Sequence, residues 1–186
     1  MNLAEYLKTE IQLPNNIIQA VDSVWKYQEL PKGTQLLKEG SLSQKVFFVE
    51  KGLLRLYYVK DGKDITHYFF SEKNTYVPIE NVFLKQPYTY NLELLENSII
   101  RTVDFTIIEK YLDENVKLQR FTRHIAASTI KQLADHLYSL QFQSAQERYN
   151  LLLKKHPDIL LRSPLGHIAS YLNVTQSTLS KIRALI

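Results

Sequence analysis

The chain has 186 residues, 45% of them hydrophobic and 23% charged, which is the composition of an ordinary globular protein able to bury a core. It contains no cysteine, which excludes disulfides, thiolate zinc sites and iron–sulfur clusters. The net charge of +4 lies entirely in residues 142–186, which hold six basic and two acidic residues, whereas the rest of the chain holds 17 of each. A basic C-terminal segment after a neutral body is typical of proteins that bind nucleic acid.

The first 104 residues of the chain change from a helical to a strand pattern. Residues 3–27 have helical periodicity with a break at Pro14. From about residue 28 to 104, short β-branched and aromatic runs follow one another at 45–49, 53–59, 65–70, 90–95 and 99–103. Asp61-Gly62, between two alternating runs, is the clearest hairpin signal. Many short strands with frequent turns predict an antiparallel barrel or jelly roll.

Helical periodicity returns with a short helix at 105–112 and a long one at about 116–140. Five apolar residues of the long helix are spaced 4, 3, 4 and 3, and we call them the seam: Ala126, Ile130, Leu133, Leu137 and Leu140. A second stripe, made of Leu118, Phe121 and Ile125, lies at a different phase. A helix with one face on its own domain and one on a partner gives this pattern, which favours a dimer. A helix buried in a single core gives it too.

The last part of the chain has the pattern of a helix-turn-helix. Ser144 and Glu147 form a capping box that predicts the start of a helix. Small Ala169 allows a close helix crossing, and Asn173 suits a left-handed turn. The shared core would contain Ile168, Leu172, Val174, Leu179 and Ile182. The outer face would carry hydrogen-bonding and cationic residues suited to base edges and phosphates, namely Thr175, Gln176, Ser177, Ser180, Lys181 and Arg183. Thr178, nearer the flank of the helix, is a further candidate phosphate contact.

These segments resemble the Crp/Fnr superfamily of transcription regulators over nearly the whole chain. The resemblance rests on Pro31-Lys-Gly33, Gly40, residues 48–57, Asp61-Gly62, Glu147-Arg148, residues 167–172 and residues 179–183. It implies an α+β fold, with a cyclic-nucleotide-binding-like β jelly roll at 1–115, a dimerisation helix at 116–141 and a helix-turn-helix DNA-binding domain at 142–186. It further implies a homodimer on a palindromic site in double-stranded DNA, with RNA polymerase as a further candidate partner.

The chain departs from its cyclic-nucleotide-binding relatives at the phosphate. Those proteins place a Gly-Glu-x-Gly turn and an Arg-Ser/Thr-Ala run around it, so that amides and an arginine hold the charge. Here Pro78-Ile-Glu-Asn81 and Thr89-Tyr-Asn91 stand in those places, so we expect no cyclic-nucleotide binding. The candidate pocket residues are His67, Tyr68, Glu80, Lys85, Thr89 and Tyr90, although packing and solvation explain them equally well. They identify no effector, and no cofactor is predicted.

Other classes of function have less support. The sequence has no G-x-S-x-G, H-E-x-x-H or P-loop motif, so we predict no enzyme activity, and its five histidines lack metal-site spacing. The alternative is a barrel-type small-molecule sensor or scaffold without transcriptional output, which would carry acidic or apolar residues on the outer face of the second helix. The N-terminus lacks the apolar segment of a secretory signal, so we expect a cytoplasmic protein with no membrane partner.

Overall fold

The computed structural model describes residues 1–184, which form two compact units. The first unit comprises residues 1–56 and 69–124, and the second comprises 57–68 and the chain from 125 onward. The helices are α1 (Leu3–Thr9), α2 (Asn15–Val24), α3 (Ile79–Val82), α4 (Phe105–Glu114), α5 (Val116–Phe142), α6 (Ala145–Lys155), α7 (Ile159–Arg162), α8 (Leu165–Tyr171) and α9 (Gln176–Ala184). The strands are β1 (Lys26–Leu30), β2 (Gln35–Leu37), β3 (Lys45–Lys51), β4 (Leu54–Lys60), β5 (Lys63–Phe70), β6 (Thr75–Tyr76), β7 (Asn91–Leu94) and β8 (Ser98–Asp104).

The strands form two four-stranded sheets, with the orders β1-β8-β3-β6 and β2-β7-β4-β5. Pairing is antiparallel where β8 lies between β1 and β3 and where β2 meets β7. The turn between β4 and β5 has positive φ at both Asp61 (52°) and Gly62 (71°), as a two-residue hairpin turn of this kind requires. The predicted jelly roll and its hairpin are therefore confirmed.

The predicted helical segment at 3–27 is wrong at its C-terminal end. Helix α2 stops at Val24, and the chain continues directly into β1, whose Lys26 pairs with Thr102 of β8. Trp25 makes the change of direction and is buried at 8% exposure. Pairing with a strand about 75 residues away decides the conformation of this segment, and local periodicity carries no information about it.

The N-terminal helices are attached to the first sheet by a buried charge pair. Glu50 of β3 accepts hydrogen bonds from the Nε of Arg101 (2.7 Å) and from the backbone N–H of Leu3 (2.9 Å). Around this pair the helices bury Leu7, Ile18 and Val21 against Phe48 of the same strand. A carboxylate that is paired with a guanidinium and a backbone donor is well satisfied inside a core.

Helix α5 shows two different faces, as its sequence predicts. Leu118 is 4% exposed and belongs to the core of the first unit, against which Phe121 also packs. Four of the five seam residues are exposed in the single chain, with Ile130 at 68%, Leu133 at 43% and Leu137 at 56%, whereas Leu140 is half-buried. The core of the first unit therefore buries the beginning of the helix, while most of the seam is open to solvent in the single chain.

Candidate nucleic-acid interface

Helices α8 and α9 form the predicted helix-turn-helix. Ile168 and Leu179 are fully buried between them, and Ala169 is 2% exposed at the crossing. Asn173 adopts φ 52° in the turn, where the left-handed conformation was predicted. The N–H of Val174 then donates to the carbonyl of Ala169 (3.0 Å), although the Val174 side chain is only half-buried. The turn geometry is therefore as predicted, with a smaller core contribution from Val174.

Arg148 of α6 holds this turn in place. Its Nε donates to the carbonyl of Leu172 (2.9 Å), the last residue before the turn, and its Nη1 donates to the carbonyl of Gln143 (2.6 Å). The capping box places the arginine, because Ser144 accepts from the N–H of Glu147 and Glu147 accepts from the N–H of Ser144. The capping box can be recognised in the sequence, but the contact of the next residue, Arg148, with the turn of the helix-turn-helix cannot.

The outer face of α9 is polar and exposed. Gln176, Ser177, Ser180, Lys181 and Arg183 are exposed. No acidic residue occurs in the sequence after Asp158, so this face has cations and neutral hydrogen-bonding groups only. Such a surface is electrostatically suited to a phosphate backbone and to base edges.

Thr175 caps α9. Its Oγ1 accepts a hydrogen bond from the N–H of Thr178 (3.1 Å) and contacts the hydroxyls of Ser177 (2.8 Å) and Thr178 (2.9 Å). Thr178 is half-buried, unlike its neighbours on the outer face. These hydroxyls therefore order the first turn of α9, where the backbone N–H groups and the helix dipole favour an anion.

The hairpin of β4 and β5 contributes directly to the second unit. The Oγ of Ser170 on α8 accepts from the N–H of Thr66 (2.9 Å) and lies 3.4 Å from the carbonyl oxygen of Asp64. The next residue, Tyr171, stacks on His136 of α5 with ring centroids 4.6 Å apart and an interplanar angle of 16°. Burial lowers the pKa of His136, and the nearby charges of His67, Lys155 and Arg148 lower it further. The first helix of the helix-turn-helix, α8, thus packs on both the hairpin and the long helix.

The candidate pocket residues are divided between the two units. In the second, His67 is half-buried and the Tyr68 hydroxyl contacts the side-chain oxygen of Gln132 and accepts from Lys155 (2.6 Å). In the first, Glu80 lies in α3, and Lys85, Thr89 and Tyr90 follow that helix in the chain. The Thr89 hydroxyl donates to Glu80 (3.3 Å), the Lys85 ammonium donates to the carbonyl of Val82 (3.0 Å), and the Tyr90 ring lies 6.0 Å from that of Tyr88.

The segment that would cradle a cyclic phosphate is occupied by side-chain bonding. Asn81 is 3% exposed, accepts from the N–H of Ser43 (2.9 Å) and donates to the carbonyls of Ser41 (3.3 Å) and Gln86 (2.6 Å). Pro78, just before α3, has no N–H to offer. The side-chain oxygen of Asn91 accepts hydrogen bonds from the side chain of Gln35 on β2 and from the backbone N–H of Glu39, so it is already bonded within the sheet region. This donor set does not fit a cyclic phosphate.

Arg55 and Glu93 form a buried pair in the same unit that sequence reasoning missed. Arg55 of β4 is 2% exposed, and its Nε and Nη2 lie 2.8 and 2.6 Å from Oε1 of Glu93 on β7. The alternation of side chains along a strand shows which of them point inward, but it does not show which other strand supplies a residue of opposite charge. Only the pairing of the sheet identifies Glu93 as the partner.

Residues 1–184 offer neither a metal site nor a membrane-spanning helix. No group of three or more histidine, aspartate or glutamate side chains is placed to hold a metal ion there. In the same part of the chain, no helix combines the length and apolar character that crossing a membrane requires.

The chain is similar to known proteins in one domain and in its fold. Residues 27–115 match the family model of the cyclic nucleotide-binding domain, and no curated protein matches the sequence. FixK2 from Bradyrhizobium japonicum is 20% identical, with a TM-score of 0.75 over 87% of this chain and 84% of that chain. A CooA mutant from Carboxydothermus hydrogenoformans is 18% identical, with a TM-score of 0.70 over 99% of this chain and 83% of that chain.

A third structure carries the family's name. It is described as a transcriptional regulator of the Crp/Fnr family from Eubacterium rectale, and it is 14% identical, with a TM-score of 0.72 over 96% of this chain and 85% of that chain. The resemblance to the Crp/Fnr superfamily is therefore confirmed in the fold and in the cyclic nucleotide-binding domain.

Proposed function

We propose that this chain, which has the fold of the Crp/Fnr regulators, is a sequence-specific DNA-binding transcription regulator that does not respond to cyclic AMP. The observation that carries the proposal is the outer face of α9. It is exposed, capped at Thr175, and bears Lys181 and Arg183, and no acidic residue follows Asp158 in the chain. A sensor or scaffold without transcriptional output is expected to carry acidic or apolar residues on this face, whereas the exposed residues between positions 175 and 183 are polar or cationic.

The residues of this face divide into base readers and phosphate contacts. Gln176 and Ser177 begin the helix and Lys181 lies one turn further on, so these three would face base edges in a major groove. A glutamine can bond an adenine through N6 and N7, and a lysine can donate to guanine O6 and N7. Thr175, Thr178 and Arg183 would contact phosphates, which set the register without specifying sequence.

The exposed seam of α5 supports binding as a homodimer. A two-fold dimer about this helix would bring two recognition helices roughly 34 Å apart, one turn of DNA, and would match a palindromic operator. RNA polymerase is a further partner that such a regulator would contact.

The test is a set of binding titrations. A preferred site is first selected from random DNA, and wild type, Gln176→Ala and Arg183→Ala are then titrated against it, its single-base variants and random DNA at several salt concentrations. Gln176→Ala should lose about 1–3 kcal/mol at one base pair and relax the preference there. Arg183→Ala should weaken all DNA alike and reduce the salt slope by about one unit.

A matched control separates specific contacts from loss of charge. Lys154→Ala removes an exposed cation from α6, outside the recognition helix, and should leave the base preference unchanged. If Gln176→Ala weakened selected and random DNA equally, the assignment of the reading face would be wrong. If the wild-type chain bound no DNA, the alternative function as a sensor or scaffold would replace the proposal.

Insensitivity to cyclic AMP is supported by the segment around α3. Asn81, Pro78 and Asn91 leave it without the amide cradle that a cyclic phosphate needs, and Thr89-Tyr-Asn91 supplies no arginine. A buried phosphate without a cation or donors is strongly disfavoured. Selected DNA should therefore be bound with the same affinity with and without millimolar cyclic AMP.

A further inference from the structure

The backbone conformation at Gly166 does not require a glycine. Gly166 is the second residue of α8, and it is not among the positive-φ glycines Gly33, Gly40, Gly52 and Gly62. Any residue can adopt its backbone conformation, and glycine is among the poorest helix formers. The reason for a glycine here must therefore be the space that a side chain would fill.

That space is taken by the side chain of Gln176. A Cβ at position 166 would lie 2.8 Å from Nε2 and 3.6 Å from Cδ of Gln176, and apart from its chain neighbours and the backbone of its own helix these are its only neighbours within 4 Å in the described part of the chain. A separation of 2.8 Å is below normal contact, so the carboxamide of Gln176 occupies the space into which a side chain at position 166 would extend. The first helix of the motif therefore limits where the first side chain of the second helix can lie.

We propose that Gly166 is a positioning residue for base recognition, which rests on the proposed reading role of Gln176. A glutamine has three rotatable side-chain bonds, and fixing them on DNA costs conformational entropy. Contact with Gly166 restricts the carboxamide before binding, and a side chain that is already restricted loses less entropy when it pairs with a base. Position 166 thus determines how the carboxamide of Gln176 is presented to the base.

Gly166→Ala separates this role from a role in folding. The added methyl meets the far end of a flexible side chain and no backbone atom, so the fold can accept it by moving Gln176 alone. Alanine also favours a helix more than glycine does. The variant should therefore melt at the wild-type temperature or above it, while the carboxamide of Gln176 is displaced.

The experiment is a double-mutant cycle on the full chain, with wild type, Gly166→Ala, Gln176→Ala and the double variant. Each is titrated against the selected site and against that site changed at the base pair where Gln176→Ala loses preference. A bidentate glutamine–adenine contact discriminates roughly 5- to 150-fold, and Gly166→Ala should remove most of this factor at that base pair only. In the Gln176→Ala background the same substitution should have no further effect.

The outcomes distinguish the inference from the function on which it rests. Unchanged or increased discrimination in Gly166→Ala, or an equal loss in the Gln176→Ala background, would overturn the role of Gly166 while leaving DNA recognition in place. A wild-type chain that binds all DNA equally would overturn the proposed function, and the inference with it. A fall in melting temperature that accompanies weaker binding to every site would show that Gly166 serves the fold.

Discussion

Leu133→Asp tests the dimer that the seam of α5 predicts. Ile130, Leu133 and Leu137 keep between 43% and 68% of their surface exposed in the single chain, whereas Leu118 on the other stripe is 4% exposed. Burying a whole large aliphatic side chain contributes about 1.5–3 kcal/mol, so covering roughly half of one contributes about 1 kcal/mol. The three residues from both protomers would therefore contribute about 6 kcal/mol before the entropy of association is subtracted.

The aspartate would act in two ways. It removes two leucines from the interface, about 2 kcal/mol, and it places two carboxylates in an apolar contact next to the two-fold axis, where each loses solvation. A total of about 4 kcal/mol corresponds to a dimer dissociation constant about a thousandfold higher. DNA affinity should fall with it, because a monomer contacts one half-site only.

Sedimentation velocity at micromolar concentration measures this directly. Wild type should sediment as a dimer and Leu133→Asp as a monomer, while His124→Asp serves as the control. His124 is exposed on the same helix, two residues before Ala126, and so lies about 200° around the helix from that seam residue. A wild type that is monomeric at this concentration, or a Leu133→Asp variant that stays dimeric, would refute the assignment of the seam as an interface.

Three further predictions concern stability and ligands. Burial lowers the pKa of His156 from an ordinary 6.5 to about 4, so the stability gained by burying the neutral imidazole is fully present above pH 6.5 and is lost as the pH falls towards 4. With a discount for the partial exposure of His156, this loss is about 1–2 kcal/mol of the free energy of unfolding. Denaturant melts of His156→Gln at several pH values should not show this loss. Glu93→Gln, which removes the charged partner of buried Arg55, should lower the free energy of unfolding by about 3 kcal/mol. As a control, Asp135→Asn in the exposed pair with Lys131 should change it by less than about 1 kcal/mol. If both variants lost the same free energy of unfolding, the buried pair would be dispensable for stability. Calorimetry should detect no binding of cyclic AMP or cyclic GMP, and a micromolar dissociation constant for either would contradict the proposed insensitivity.

The parts of the fold that local chemistry determines could be predicted from the sequence. Asn173 was placed in a left-handed turn because few residues tolerate that conformation, and its φ is 52°. The capping box of Ser144 and Glu147 and the turn at Asp61-Gly62 were found for the same reason. In each case the residues that form the structure are neighbours in the chain, so the pattern contains the whole interaction.

The parts that distant contacts determine could not be predicted. The bond of Thr66 to Ser170 joins residues 104 positions apart, and that of Arg55 to Glu93 joins residues 38 apart. Helix α3 has only four residues, Ile79–Val82, too few for a period to be recognised. The contact between Gly166 and Gln176 spans ten residues, yet a glycine inside a helix is, by sequence alone, only an unfavourable choice.

The pair of Arg55 and Glu93 bears on the question of what the barrel can bind. The sequence shows that Thr89-Tyr-Asn91 lacks the arginine of the cyclic-nucleotide binders, but an arginine from another strand could in principle replace it. Arg55 is a fully buried guanidinium of the sheet, and the Glu93 carboxylate already neutralises it at 2.6 Å. An anionic ligand would have to displace that carboxylate and leave it without its partner, at a free-energy cost of several kcal/mol. The internal charge balance of the barrel therefore argues against a phosphate and in favour of a ligand without net negative charge.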